Sequence, residues 1–375
     1  MRFVLFTHSI VADWNHGNAH FLRGVLSELV ARGHEAIAYE PADGWSRRNQ
    51  SIEPGGAAAM LRFGERFPGI VARTYDASLD LDQALDGAGV VIVHEWTDPA
   101  MIAAIGRHRA RTGSYVLLLH DTHHRAVSAE AEIAALKLDG YDAVLAFGEV
   151  LCHIYRARGW GRRVVCWHEA ADTRLFGPMP QVEKSRDLVW IGNWGDGERA
   201  SELNEFLIDP VARLGARAEV YGVRYPADAI GRLSRSGLGY RGWLPNADAP
   251  SVFARHRATV HVPRRPYRER LVGIPTIRVF EALAAGIPLV CAPWQDSEGL
   301  FRRGRDYLTA ANGEDMARQL RSIFADSALA RSLARSGRET ILARHTCAHR
   351  VDELFGLLSD LGVTRQSVPR PELVS

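Results

Sequence analysis

Strand-sized apolar runs alternate with helix-sized segments along nearly the whole chain, and this alternation restricts the fold more than any other feature. The first series reads "RFVLF", a helix from about Asn18 to Arg32, "EAIAY", "VVIVH", "YVLLLH", "AVLAF", a helix near Val150 to Arg158, and "RVVCW". Uninterrupted apolar strands separated by helices imply an α/β architecture, a parallel sheet covered on both faces. The pattern stops over residues 168 to 187, "HEAADTRLFGPMPQVEKSRD", where polar residues and two prolines suit an inter-domain connection. A second series follows: "LVWIG", a helix from about Glu198 to Leu214, "AEVYG", "LGYRGW", "ATVHV", a helix containing Glu281, "PLVCA" and "DYLTA". Helices near Gly313 to Phe324, Ser327 to Arg344 and Ala348 to Leu361 close the chain, and "VTRQSVPRPELVS" reads as a tail. At 375 residues one core is outgrown, so two lobes facing each other across a cleft are expected. Their predicted bounds are 1–170 and 188–346, with a linker at 171–187.

The charge balance excludes one class of partner. Lys and Arg number 46 against 44 Asp and Glu, interspersed, which gives no basic face or arm for nucleic acid. Cys152, Cys166, Cys291 and Cys347 have no CxxC spacing, so they read as structural thiols in a reducing compartment. The opening "MRFVLF" lacks a signal-peptide pattern and no apolar run approaches a membrane span, so the expected location is cytoplasmic. Peripheral contact with the inner face of a membrane stays open. The basic-aromatic run "YRARGWGRR" reads first as solvated surface.

Ligands of open parallel sheets bind beyond the carboxyl ends of the strands. After the first strand, Gly17 and Asn18 precede a helix whose free N–H groups suit an anion. After "VVIVH" come Glu95 and Trp96; "YVLLLH" ends in His120 and is followed by Asp121, His123, His124 and Arg125. Histidines gathered at strand ends suggest proton transfer, and His120 is the leading candidate. A zinc site is disfavoured there, since His120, His123 and His124 lack a helical i, i+4 pair with a third carboxylate in range. In the second series Gly192, Gly195 and Gly197 allow close approach of an anion and Arg199 supplies charge at a helix start, although glycine turns of this kind are common. Pro275, Thr276 and Arg278 repeat the arrangement, and two basic helix N-termini on one lobe suit a diphosphate. Glu281 stands alone in the otherwise apolar "GIPTIRVFEALAAGIPLV".

Two segments carry a resemblance over almost the whole chain. "AADTRLF" resembles the inter-domain "GVDTxxF" of GT-B glycosyltransferases, and "FEALAAGIPLV" resembles their "xEAMAAGxPVV"; retaining family 4 and the CgeB-like group are the nearest in pattern. The resemblance implies two Rossmann-like lobes, with acceptor on the N-terminal lobe and a nucleoside-diphosphate sugar, UDP- or GDP-linked, on the C-terminal lobe. It further implies that the helix at 347–362 returns to the first lobe, leaving 363–375 as tail. The implied activity is metal-independent transfer of a hexose to a glycan, lipid or small-molecule acceptor, in bacterial glycan biosynthesis. Under this resemblance Glu281 accepts from the donor ribose, Arg199 and Arg278 meet the pyrophosphate, and Gly242 and Trp243 cradle the base. Gly17 and Thr276 face the phosphates, while His120, with Asp121 as rival, lies at the transferred sugar. The chain departs from family 4 at Gly273, where that family has a glutamate that touches the sugar, and at Asn193, where it has a basic residue. Sugar recognition is then changed or relocated, with "PRRPYRER" the candidate segment. A nucleotide-sugar 2-epimerase and a non-catalytic nucleotide-sugar-binding scaffold are the alternatives.

Overall fold

The computed structural model describes residues 1–195 and 197–363, so the tail from 364 onward lies outside the described residues. The first domain is a seven-stranded sheet of order β3-β2-β1-β4-β5-β6-β7. Its strands are β1 Arg2–Phe6, β2 Glu35–Pro41, β3 Ile70–Tyr75, β4 Ala88–His94, β5 Val116–Asp121, β6 Ala143–Ala146 and β7 Val164–Cys166. The second sheet has order β10-β9-β8-β11-β12-β13. It comprises β8 Arg186–Ile191, β9 Ala218–Tyr221, β10 Leu238–Tyr240, β11 His256–His261, β12 Leu289–Cys291 and β13 Leu308–Thr309. Every strand pairing is parallel, with the switch point beside the first strand of each sheet.

The apolar runs are continuous because both faces are covered. Phe3 and Leu5 of β1 enter a core with the helices Ala19–Ala31 and Cys347–Asp360, whereas Val4 and Phe6 enter one with Pro99–Thr112 and Glu149–Arg158. The first of these cores continues through Trp167 and Phe176 to Ile277 and Phe280 of the second domain. The crossing chain near Ala171 forms a parallel bridge with Thr346. From there Cys347–Asp360 runs back onto the first domain, where Phe355 meets Phe3 edge-on at 5.9 Å and the Arg350 carbonyl accepts from Trp167 Nε1 at 2.8 Å.

Several features were not foreseen, among them the helices Pro99–Thr112 and Ala227–Arg235. Edge strand β3 alternates poorly and is mostly exposed, which removes the apolar signal on which strand prediction depends. The short helices between Trp45 and Arg66 likewise carry no strong periodicity. The segment expected as one helix from Glu198 is instead Ala200–Leu203, a π turn Asn204–Ile208, and Asp209–Leu214. Pro210 lacks the N–H that regular α bonding would use, and a wider turn just before it accommodates that loss.

Close approach of two helices rests on Gly24. A Cβ there would sit 2.5 Å from Cys347 Sγ and 2.8 Å from Asp172 Cβ. Gly24→Ala is therefore expected to destabilise by about 1–3 kcal/mol despite the better helix propensity of alanine. An unchanged or higher urea midpoint would contradict that packing.

Candidate active-site cleft between the domains

The carboxyl ends of both sheets face one cleft of about 640 Å³. From the first domain it receives His8 after β1, the loop Asn15–Asn18, His94 at the end of β4, Trp96, and Thr122–Arg125 after β5. The second domain supplies Ile191–Asn193 after β8, Arg199, His261 at the end of β11, Arg264, Tyr267 and Thr276–Arg278. A smaller recess of about 40 Å³ shares Gly17, Asn193 and Arg278 with the cleft and adds Trp243 and Asn246.

Arg199 dominates the electrostatics of this space. It is buried, stacks on Trp190 at 5.2 Å, and donates to the carbonyls of Val262 at 3.1 Å and Asn193 at 2.5 Å. Among the described residues no carboxylate pairs with it, and its Nε has no partner. Burial, reinforced by the nearby Arg264 charge, pulls its pKa down to about 9. A buried cation that lacks an anion, on the wall of a cleft, is a site that an anionic ligand would stabilise. Arg264 is instead paired with Glu198 at 3.1 Å, and Arg278 with Glu281. Thr276 is held by His261 Nε2 at 3.1 Å, just before the helix Ile277–Ala285, whose N-terminus opens toward the same space.

Glu281 occupies neither a solvent face nor the cleft wall. Fully buried, its carboxylate accepts from Asn246 Nδ2 at 2.7 Å and from Arg278, and lies 3.1 Å from Nδ1 of His20 in the first domain. Nε2 of His20 accepts the Asp172 N–H at 2.7 Å, so the ring proton is on the Nδ1 side, toward Glu281. Burial pushes the Glu281 carboxyl up, but Arg278, His20 and Asn246 outweigh it and hold the pKa below its ordinary value. Asn193 is a second connection between domains: its side chain meets Asn15 and accepts from the Val223 N–H at 2.9 Å.

His120 and Asp121 do not line the cleft, which corrects the expectation drawn from their position at a strand end. The His120 ring is enclosed by Trp167 at 4.9 Å, His94 at 5.6 Å and Phe21 at 5.7 Å, with neither nitrogen bonded, and burial pushes its pKa down to about 3. Asp121 accepts from the Tyr155 hydroxyl at 2.7 Å and the His123 N–H at 3.0 Å, and burial lifts it to about 6. Gly242 lines neither cavity, its carbonyl accepting from Gly222 N–H at 2.8 Å. Gly17, Asn193, Arg199, Thr276 and Arg278 do line the cleft, and Trp243 lines the recess. Gly273 has φ 104°, and a Cβ there would lie 2.2 Å from Ser297 Oγ, so no side chain fits where family 4 carries its glutamate. Of "PRRPYRER", Arg264 and Tyr267 reach the cleft, while Arg265 is paired with Glu202 at 2.8 Å.

Cleft residues that sequence reasoning did not name include His8, His94 and His261. His94 ends its strand, His120 stands one residue before the end of β5, and the parallel register sets the two opposite each other, with His94 the one that reaches the cleft. Its Nδ1 accepts the Trp96 N–H at 3.2 Å, so Nε2 donates to Thr122 Oγ1 at 3.0 Å and is not free to accept a proton. His16 differs: it lines the cleft 4.1 Å from the His8 ring, neither ring nitrogen has a side-chain partner among the described residues, and burial, only partly offset by the Ser9 backbone, holds its pKa well below the ordinary value. Glu95 is paired with Arg125 at 2.7 Å, and that guanidinium lies 4.3 Å from the Trp96 ring centroid.

Burial of so many histidines has a cost in acid. His16, His94, His120, His124, His261 and His345 all have pKa values depressed chiefly by burial. They stay neutral in the folded state while unfolded histidine protonates near pH 6.5, so their stabilising contribution is full above that pH and is lost as pH falls. Asp121, Glu95 and Glu169, raised chiefly by burial, oppose the trend by taking protons in the folded state first. His8, His123 and His256 are depressed by burial in the same way, so nine such groups stand against three and stability should fall by roughly 5 kcal/mol per pH unit between pH 6.5 and 5.5. Denaturant midpoints at pH 7.5, 6.5 and 5.5 check this, and a flat series would contradict it.

A family model described as glycosyl transferase-like matches residues 199–356. No curated protein matches the sequence. Among solved structures, a sucrose-phosphate synthase from Thermosynechococcus elongatus superposes with TM-score 0.66 at 14% identity, over 96% of this chain and 99% of that one. A glycosyltransferase from Rickettsia africae gives TM-score 0.67 at 10% identity, over 97% and 99%. Anabaena HepE in complex with UDP and glucose gives TM-score 0.65 at 15% identity, over 96% and 100%. Two parallel-sheet α/β domains meeting at a cleft, superposable along nearly their whole length on these enzymes, give this chain the GT-B glycosyltransferase fold.

Proposed function

We propose that the protein transfers a sugar from a nucleoside-diphosphate sugar to an acceptor hydroxyl in the cleft between its domains. The observation that carries this reading is Arg199, a buried cation on the cleft wall with no paired carboxylate among the described residues. The diphosphate lies against Arg199 and the N-terminus of the helix Ile277–Ala285, with Arg278 beside it, and these groups stabilise the charge that develops on the leaving diphosphate. With that charge supplied by arginines and backbone amides, the reaction is proposed to proceed without a metal.

The base and ribose point toward the recess at Trp243 and Asn246, with Glu281 behind Asn246. HepE was crystallised with UDP and glucose, which makes UDP-glucose the first donor to test and GDP-sugars the second. The acceptor, a glycan, a lipid-linked sugar or a small molecule, enters from the first domain over Trp96 and the histidines. His16 takes the place given from sequence to His120: its neutral imidazole, without a side-chain partner among the described residues, receives the acceptor hydroxyl proton. A cytoplasmic location, with peripheral membrane contact where the acceptor is lipid-linked, accords with the described residues, none of whose helices is long and apolar enough to cross a membrane.

The test is nucleotide release from a panel of UDP- and GDP-sugars, with and without glycan and lipid acceptors. Acceptor-dependent release supports transfer. Donor consumed equally without acceptor points to a 2-epimerase, donor bound without turnover points to a scaffold, and absence of donor binding overturns the reading.

A further inference from the structure

On the far side of the domain junction, outside the cleft, three side chains of different chemistry converge. Cys166 ends β7, His168 follows two residues later in the crossing chain, and Glu298 reaches over from the loop between β12 and β13 of the second domain. His168 Nε2 lies 3.4 Å from Cys166 Sγ and 2.7 Å from Glu298 Oε2, and one donor atom from each residue falls within 4.8 Å of the others. The other carboxylate oxygen accepts the Glu149 N–H at 3.0 Å, which fixes the carboxylate at the start of the helix Glu149–Arg158. None of the three lines the cleft.

We propose that Cys166, His168 and Glu298 bind a zinc(II) ion that fastens the second domain's β12–β13 loop to the first domain. Sulfur, imidazole nitrogen and carboxylate oxygen are the donors zinc takes, whereas magnesium and calcium require oxygen-rich sets. The spacing lies near tetrahedral geometry: usual zinc bond lengths put sulfur and nitrogen ligands roughly 3.5 Å apart, and nitrogen and oxygen roughly 3.3 Å. The first distance is met, and the second needs Glu298 Oε2 to withdraw by about half an ångström, replacing a hydrogen bond by a shared metal. Three protein donors leave the fourth position to water. The Glu149 N–H serves as the outer contact that orients the ligating carboxylate. Linear spacing conceals the group, because His168 and Glu298 are 130 residues apart. Reading the cysteines as purely structural thiols misses it for the same reason.

The test uses tag-free full-length protein, stripped with a chelator, exchanged into Zn²⁺ and desalted. One equivalent of zinc per chain is expected, with no comparable retention of Mg²⁺ or Ca²⁺. Cys166→Ser and His168→Ala should each weaken zinc binding at least tenfold. Co²⁺ in place of Zn²⁺ should give a near-ultraviolet thiolate-to-cobalt band that Cys166→Ser abolishes and that the conservative Glu298→Asp retains. Circular dichroism of each metal-free variant establishes that it is folded. Failure to retain zinc, or equal retention by a folded Cys166→Ser/His168→Ala double variant, overturns the proposal. Neither result bears on nucleotide release, since these residues stand outside the cleft.

Discussion

Replacing Arg199 by methionine is expected to weaken nucleoside diphosphate binding about a hundredfold and to leave binding of the bare nucleoside nearly unchanged. The guanidinium already spends two donors on the Val262 and Asn193 carbonyls, and no carboxylate among the described residues pairs with it. A diphosphate gains one or two charge-assisted hydrogen bonds there, each worth about 1.5–3 kcal/mol. Methionine keeps an apolar stem against Trp190, and removing an uncompensated buried charge should leave the unliganded protein at least as stable as the parent. Calorimetry with UDP, GDP and the corresponding nucleosides, beside thermal melts without ligand, reads both effects. Equal losses for nucleoside and diphosphate would mean that the substitution deforms the cleft. Arg278→Ala should behave differently, because its charge is committed to Glu281 and its removal strands a buried carboxylate.

Glu281→Ala is expected to be among the most destabilising single changes in the protein, by about 3–5 kcal/mol. It leaves Arg278, Asn246 and the Nδ1 side of His20 without their acceptor, and so acts on both domains at once. For a chain of this length such a loss corresponds to a drop in thermal midpoint of about 4–6 °C. Glu281→Gln keeps an acceptor oxygen and should lose about half as much, through the missing charge opposite Arg278. If Glu281→Gln melts like the parent yet binds donor tenfold more weakly, the carboxylate serves the ligand directly and the inter-domain role fails.

Both sheets, the cleft between them and most of the longer helices were legible because a buried parallel strand writes a continuous apolar word and a covering helix writes a 3.6-residue period. Elements with little burial left no such mark, as β3 and the helices that carry Trp45 to the cleft illustrate. Side-chain placement was less legible than backbone order. His94 and His120 stand opposite each other near the ends of adjacent strands, and only the packing of Trp167 and Phe21 decides that His120 is enclosed while His94 reaches the cleft. Glu281 was correctly singled out as unusual, but its partners come from residues 20 and 246, a convergence that no local pattern encodes.

The return of Cys347–Asp360 to the first domain makes that domain discontinuous in sequence, and this governs the order in which the molecule can be completed during synthesis. The β1 to β7 sheet leaves the ribosome first, yet the helix that covers Phe3 and seats against Gly24 is translated only after the entire second domain. Until then the apolar stripe of Ala19–Ala31 is open to misassociation, so truncated chains ending before residue 347 should be aggregation-prone even though every strand of both sheets is present. A fusion of residues 347–363 ahead of Met1, joined by a flexible linker, should instead let the first domain close before the second is made.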